Sequence, residues 1–464
     1  AFGSRALQSN TTGNYSVAVG RDALRLNTTG NQNVAMGTDA LDANTTGSLN
    51  TAIGDQALSA NTTANRNTAV GHNTLNVNTT GTQNVGVGTN TLDANTSGNY
   101  NTGLGDHALS ENTTASNNTA VGLYALLLNT TASENTAVGS HAADANTTGT
   151  KINAFGYKAL TSNTTGTENT GIGCHTLHEN TTGNYNTAVG HNSLYDNTTG
   201  SRCTAVGTNA LMANTSNVDN TAVGYLALRN NDDHSCTAVG SYALGLSTAG
   251  RSNTAVGYVA GYNVTNGSYN TFLGQSAGYY QTTASYNTLL GRQTGYNLTT
   301  GHSQTFVGQG AGYYVTTGTD NVLIGYNAGA YSSHTTTGDK NILVGNYSRT
   351  GNSTLGIVLG YDFASIGGSN TFNVKASSGS FQSNNNSAWS TTSDRRIKKN
   401  IVDNNSGLDL LEKIQVRNFE YKTSEEIVED SPELDKIAEN VVVDKSSQQI
   451  GVIAQELEEV LPEC

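Results

Sequence analysis

A glycine that returns every 17 residues constrains this chain more than any other feature. It follows a short apolar phrase such as Thr68-Ala-Val-Gly71, and we call it the rung glycine. Between Gly3 and Gly360 there are 21 steps, of which 18 measure 17 residues and the others 16, 20 and 15. This period is too short for a helical pair or a propeller blade. With Gly and Asn at its corners, it predicts one coil of an all-β parallel solenoid, with two short strands and two turns per coil.

Composition agrees with a repetitive solenoid. Only 35% of the 464 residues are hydrophobic and 12% are charged, and both prolines, Pro432 and Pro462, lie near the end of the sequence. A proline inside a coil would remove a hydrogen bond from the ladder. The net charge of −13 argues against nucleic-acid binding, and no apolar run approaches the roughly 20 residues of a membrane-spanning helix. We expect neither a cofactor nor insertion into a membrane.

The columns of the repeat predict which side chains fill the coil. The residue directly before each rung glycine is always apolar, and the residue three before it is nearly always Thr, Val or Ile. Strand alternation places these two columns on one face. A leucine follows four residues after the glycine, as at Leu24 and Leu41. We expect these three columns to form the interior.

The residue two before the rung glycine lies on the opposite strand face. It is Ala or Gly as far as Ala255 and then becomes large, as in Phe272 and Leu289. We interpret this growth as volume moved from the coil interior to an interface with another copy of the chain, which predicts an oligomer. A monomeric solenoid is the alternative. Where the column grows, the leucine column turns to glycine, at Gly261, Gly278, Gly295, Gly312 and Gly329.

A tyrosine recurs once per coil after Gly257. Aromatic faces stack on sugars, so this column is a candidate glycan-binding surface, which makes a lectin-like module the alternative function. An aromatic ladder that links successive coils is the structural interpretation. The four tyrosines are Tyr262, Tyr279, Tyr296 and Tyr313.

Asn-Thr-Thr or Asn-Thr-Ser recurs in the first 13 coils and matches the N-glycosylation signal. The same residues suit a corner, where Asn and Thr side chains bond to the backbone. Stacked threonines are also typical of ice-binding solenoids, but here they lie at a corner and not clearly on a flat strand. The candidate glycosylation sites are Asn10, Asn27, Asn44, Asn61, Asn78, Asn95, Asn112, Asn129, Asn146, Asn163, Asn180, Asn197 and Asn214.

Cysteine and histidine give weak signals. Cys174 and His175 with His178 form a local cluster that a surface turn explains better than a metal site. Cys203 and Cys236 share a column two coils apart, about 9.6 Å by strand spacing, which exceeds disulfide reach within one chain. Copies of one cysteine could instead meet around a symmetry axis, so the redox compartment stays open.

The sequence divides into four parts. Residues 1–256 are regular coils, 257–362 are Tyr- and Gly-rich coils, and 363–390 are a Ser-, Gly- and Asn-rich connector. Residues 391–464 contain 26 of the 57 charged residues and helix-like apolar spacing. The chain begins inside a coil at Ala1, so we expect it to be a piece of a longer protein.

The segment from Ala388 to Ile401, Ala-Trp-Ser-Thr-Thr-Ser-Asp-Arg-Arg-Ile-Lys-Lys-Asn-Ile, resembles the start of the intramolecular chaperone domain of endosialidase-type phage tail fibres. The segment Ile450 to Leu457 resembles the second hallmark of that family. The coils resemble stalks of tail-fibre proteins and, more weakly, the head β-rolls of trimeric autotransporter adhesins.

The resemblance implies a small α+β domain, truncated here, that trimerises a fibre, assists its folding and often cuts itself off. Ser393 matches the family's nucleophile and Lys398 its base, which would make the chain at most a single-turnover self-cleaving peptidase. In the alternative, Lys398 belongs to a basic turn and nothing is cut. The implied protein is a structural and adhesive fibre on a virion surface or outside a cell. Its partners would be its own copies and a host-surface glycan or receptor.

Overall fold

The computed structural model describes residues 1–330, 337–350, 352–362, 369–376, 379–383, 413–419, 449–451 and 456. The chain forms two compact units, Ala1–Asn370 and Thr371–Cys464. The first unit contains the predicted solenoid.

Twenty-one strands, β1–β21, form one parallel sheet in the first unit. Each strand pairs with the next in the chain, and equivalent residues lie side by side, as Ala52 beside Ala69. The parallel solenoid with 17-residue coils is therefore confirmed. The strands are β1 Val17–Val19, β2 Val34–Met36, β3 Thr51–Ile53, β4 Thr68–Val70, β5 Val85–Val87, β6 Thr102–Leu104, β7 Thr119–Val121, β8 Thr136–Val138, β9 Asn153–Phe155, β10 Thr170–Ile172, β11 Thr187–Val189, β12 Thr204–Val206, β13 Thr221–Val223, β14 Thr237–Val239, β15 Thr254–Val256, β16 Thr271–Leu273, β17 Thr288–Leu290, β18 Thr305–Val307, β19 Val322–Ile324, β20 Ile342–Val344 and β21 Ile357–Leu359.

The described coils contain one strand each, not the predicted two. Left-handed backbone angles interrupt the rest of the coil, for example at Asp22 (φ 59°), Leu24 (φ 52°) and Gln32 (φ 57°). The backbone still bonds from coil to coil there, since the Leu24 amide donates to the Ala40 carbonyl at 3.0 Å. The bent segment therefore continues the ladder without forming a strand.

The rung glycine is required by both angle and space. Gly122 has φ 136°, a conformation that residues with a Cβ rarely adopt. A Cβ on Gly122 would lie 2.5 Å from the Gly139 carbonyl oxygen of the next coil. The column of glycines therefore lets successive backbones approach at the end of each strand.

The predicted strand face was wrong. The middle residue of each strand is buried and its two neighbours are partly exposed: Ala52 is 0% exposed, whereas Ile53 is 38% exposed. Leu58 is fully buried, so the leucine column is interior as predicted. The larger apolar residues were expected in the interior. Instead the small alanine faces the leucine across a narrow core, and the larger Val and Ile side chains face outward.

The growth of the middle column was also misinterpreted. Phe272 is fully buried, and a Cβ on Gly261 would lie 2.8 Å from its Cδ2 atom and 2.9 Å from Leu244 Cδ2. The Phe ring thus occupies the space that a leucine fills in the regular coils. Volume moves from one wall of a coil to the other, and this column gives no argument for a subunit interface.

The second unit contains two described antiparallel pairs. Strand β22 (Phe372–Ala376) pairs with β23 (Gly379–Ser383), and β24 (Arg417–Phe419) pairs with β25 (Gln449–Gly451). The Arg417 guanidinium donates to both carboxylate oxygens of Glu456 at 3.1 Å. No helix among the described residues has the length and apolarity needed to cross a membrane.

Exchange of volume across the core can be tested with a double-mutant cycle. Phe272→Ala should lower the free energy of unfolding by about 3–5 kcal/mol through the cavity that it leaves. Gly261→Leu alone should also destabilise, because its side chain meets Phe272. Together the two changes recreate a regular Leu–Ala pair, so the double variant should lose at least about 1 kcal/mol less than the sum. Chemical denaturation measures all three values.

Gly261→Leu combined with Phe306→Ala is the matched control, because these residues lie several coils apart and should act additively. Additive losses for Gly261→Leu and Phe272→Ala would contradict a shared core.

Candidate functional site

The candidate glycosylation asparagines form a buried ladder. All except Asn10 have fully buried side chains. Each Nδ2 donates to the Oδ1 of the asparagine one coil earlier, at 2.7–3.3 Å. It also donates to a backbone carbonyl three residues on, as Asn112 does to Ala115 at 3.2 Å. Nδ2 is the atom to which a glycan would be attached, and in the twelve buried asparagines it is already bonded in the core. Glycosylation of this column stays a prediction.

A second buried ladder lies four residues before each rung glycine. The Asn67 backbone N–H donates to Asn50 Oδ1 at 2.9 Å, and the side-chain Nδ2 of Asn67 donates to the Gly81 carbonyl at 2.8 Å. Cys203 and Cys236 occupy this column inside the coil. The Cys236 thiol takes the place of the amide donor, 3.0 Å from the Gly250 carbonyl. The prediction that copies of one cysteine could meet around an axis is therefore wrong.

Burial also controls the chemistry of these two thiols. It raises the pKa of both Cys203 and Cys236 to about 11. Because the thiolate is the reactive form, both side chains behave as small hydrophobic residues at neutral pH.

The four tyrosines of the variant coils stack on one another. The ring centroids of Tyr262, Tyr279, Tyr296 and Tyr313 follow at 5.6, 5.2 and 5.0 Å, with planes 16°, 9° and 3° apart. This is the aromatic ladder of the structural interpretation. Since each inner ring has a neighbour on both faces, sugar stacking on these tyrosines stays a prediction without further support.

The histidine cluster has the features of a packed surface turn. The ring centroids of His175 and His178 lie 5.2 Å apart, and His178 stacks on Tyr195 at 4.8 Å. Burial first, and then repulsion from His178, Lys158 and His191, lowers the pKa of His175. Within the described part of the chain, no group of three or more His, Cys, Asp or Glu residues is placed to hold a metal ion.

The feature that sequence reasoning missed is the outward face of the sheet. We define the outer stripe as the first and third residues of β1–β21, which point away from the core. Exposed members include Met36 (42%), Leu104 (46%) and Leu273 (47%). The signal that identifies this face was present: large middle residues coincide with glycine in the leucine column, and residues that compensate in volume must share one core.

The predicted catalytic pair, Ser393 and Lys398, lies outside the described residues. The second family hallmark is described at Ile450, in β25, and at Glu456.

Comparison with family models decides what the second unit resembles. Residues 393–464 match the family chaperone of endosialidase. The match covers 72 residues, from 393 to 464, and includes both Ser393 and Lys398. No curated protein and no solved structure matches the chain. The chaperone match agrees with the resemblance of the segments at Ala388 and Ile450, and it does not extend into the coils.

The two interpretations of the asparagine column predict different mutational effects. Asn112→Asp removes the donor to Asn95 Oδ1 at 2.9 Å and to the Ala115 carbonyl. It should destabilise the protein by at least about 2 kcal/mol, since two buried acceptors lose their partner. Thr114→Ala destroys the same glycosylation signal at an exposed side chain, and should change stability by less than about 0.5 kcal/mol.

Chemical denaturation of protein from a bacterial host without N-glycosylation measures both variants. Equal losses for Asn112→Asp and Thr114→Ala would show that the buried amide is not what stabilises the corner.

Proposed function

We propose that this chain is part of a homotrimeric structural fibre, exposed on a virion or cell surface, whose C-terminal domain directs assembly. The observation that carries the proposal is the combination of a stack of 17-residue coils with a chaperone-of-endosialidase match at residues 393–464. Attachment to a host glycan or receptor is the biological role that we assign to the fibre.

Register explains why such coils need a chaperone. Most strands have the sequence Thr-Ala-Val or a close variant, so a slip of one coil between chains changes few side-chain contacts. A terminal trimeric domain would fix stoichiometry and register before the coils associate. Removal of that domain afterwards would leave the fibre kinetically trapped in its assembled state.

Self-cleavage is the chemistry that we assign to the second unit. The uncharged Lys398 amine accepts the proton of the Ser393 hydroxyl, and the Ser393 oxygen attacks the Ser393 carbonyl carbon of a second copy of the chain, because attack on its own carbonyl would close a strained four-membered ring. The new ester replaces the peptide bond, the proton passes to the leaving amine, and water then hydrolyses the ester. The cut falls at the junction between Ser393 and Asp394.

Intact-mass measurement of freshly expressed full-length chain tests the cleavage. The wild type should yield two products that end and begin at the Ser393–Asp394 junction. Ser393→Ala and Lys398→Ala should each remain uncut, because one lacks the nucleophile and the other lacks the base. Lys399→Ala is the matched control and should be cut like the wild type. A wild-type chain that stays whole would refute self-cleavage while leaving the assembly role open.

The assembly role is tested by expression of residues 1–390. Without residues 391–464 the coils should aggregate or form species of mixed size, since nothing sets their register. The full chain carrying Ser393→Ala, with its domain retained, should give one species of uniform size in analytical ultracentrifugation. Soluble, uniform trimers of residues 1–390 would contradict the requirement for a chaperone.

A further inference from the structure

The outer stripe differs from the rest of the coil surface in its chemistry. Its third-residue column is apolar in every strand from Val19 to Leu359, and its first-residue column is Thr, Val or Ile except at Asn153. No residue of the stripe is charged. Charged side chains lie instead at the corners, where Arg25 meets Asp42 and Arg202 meets Asp219, both at 2.7 Å.

The stripe, with one apolar column and one column that is mostly Thr, is a larger uncharged surface than the apolar patches that a monomer normally exposes. Twenty-one strands about 4.8 Å apart extend over about 100 Å, and two outward columns cover a width of about 10 Å, so the stripe measures on the order of 1,000 Å². The largest apolar patch of a typical monomer is about 300–600 Å². A stable protein–protein interface buries about 800 Å² on each partner, so the stripe is of sufficient size for one.

We propose that the outer stripe is the surface by which copies of this chain pack together, with the stripes of three chains facing a common axis, parallel and in register. The inference rests on the trimer of the proposed function and names the face that forms it. The outer stripe takes the place of the middle strand column as the predicted subunit interface, because that column is buried inside each coil.

The repeat itself selects a second copy as the occupant. A partner that covers the stripe must present side chains that pack on an apolar column and on a Thr-rich column, at the same spacing of about 4.8 Å over 21 rungs. Another copy of the stripe meets this requirement at every rung. It also brings no charge into the contact, so no carboxylate or ammonium group loses its hydration.

Ice is a different kind of occupant for the same face. The strand threonines, such as Thr51 and Thr68, lie on the flat outward face of the sheet and not at a corner. The third-residue column is Val, Ile or Leu apart from Met36 and Phe155, and the contact area suits a protein partner, so we assign the stripe to self-association. Thermal hysteresis of the purified protein would indicate ice binding by this face.

Cross-linking of the full chain locates the interface. The background is Cys174→Ser with Cys464→Ser, which leaves the two buried thiols Cys203 and Cys236 in place. Val121→Cys, in the stripe, should be joined between chains by a short bismaleimide. Glu111→Cys, exposed on the corner of the same coil, should not be joined.

Charge substitution provides the second variant set. Val121→Glu with Val138→Glu places carboxylates in the stripe, and should shift the trimer–monomer equilibrium toward monomer by about a hundredfold or more. Thr114→Glu with Thr131→Glu, at exposed corner positions, should leave it unchanged. Sedimentation measures the mass, and circular dichroism checks that the coils remain folded.

The outcomes separate this inference from the proposed function. If the wild type is a trimer, cross-linking of the Glu111→Cys variant, or an unchanged trimer of the Val121→Glu with Val138→Glu variant, would overturn the inference and leave the trimer intact. A wild-type monomer would overturn both the inference and the trimer, and thermal hysteresis of that monomer would assign the stripe to ice. The inference is supported if the wild type is a trimer, the Val121→Cys variant is cross-linked between chains, and the variant with Val121→Glu and Val138→Glu dissociates.

Discussion

Hydrogen bonds between equivalent groups of successive coils are the interaction on which the first unit depends. The two asparagine columns show this most clearly, because fully buried amides find their partners one coil away, as Asn112 does in Asn95. A coil by itself would keep the bond from Asn112 Nδ2 to the carbonyl three residues on but would lose the bonds between coils, so much of its stability comes from its neighbours. The requirement that each coil repeat the last one follows from this pairing, since a residue that cannot continue the ladder leaves two coils unsatisfied.

That dependence explains which parts of the fold could be predicted from the sequence. The period, the parallel stacking, the rung glycine and the leucine column all leave a mark at a constant spacing, and each is present in the structure. In the regular coils the phase of the strand leaves no such mark, because Ala and Val are both apolar and either could face inward. Only the variant coils mark it, where large middle residues coincide with glycine in the leucine column. Left-handed backbone at residues such as Leu24 also has no signature in residue type, so the second strand was expected where none forms.

The candidate sites show the same difference between the position of a column, which repeats at constant spacing, and the environment of its side chains, which the spacing does not reveal. Tyr279 and Tyr296 could be assigned to a ladder or to a sugar site from spacing alone, and only the stacked planes at 5.2 Å decide that their faces meet. Asn112 carries a glycosylation signal whose Nδ2 atom is already bonded twice in the core. In both cases spacing located the column, whereas the environment of its side chains depends on neighbouring coils and could not be read from spacing.

The same regularity has opposite consequences inside and between chains. Inside a chain, covalent connection sets the order of the coils, so the ladders cannot slip. Between chains no such connection exists, and stripes built from Thr-Ala-Val strands match at almost any offset. In the trimer that we propose, contact area on such a face would therefore supply affinity without register. A fibre of this design would need an irregular element that associates in one way, and we propose that residues 393–464, which match a chaperone family and lack the repeat, supply it in this chain.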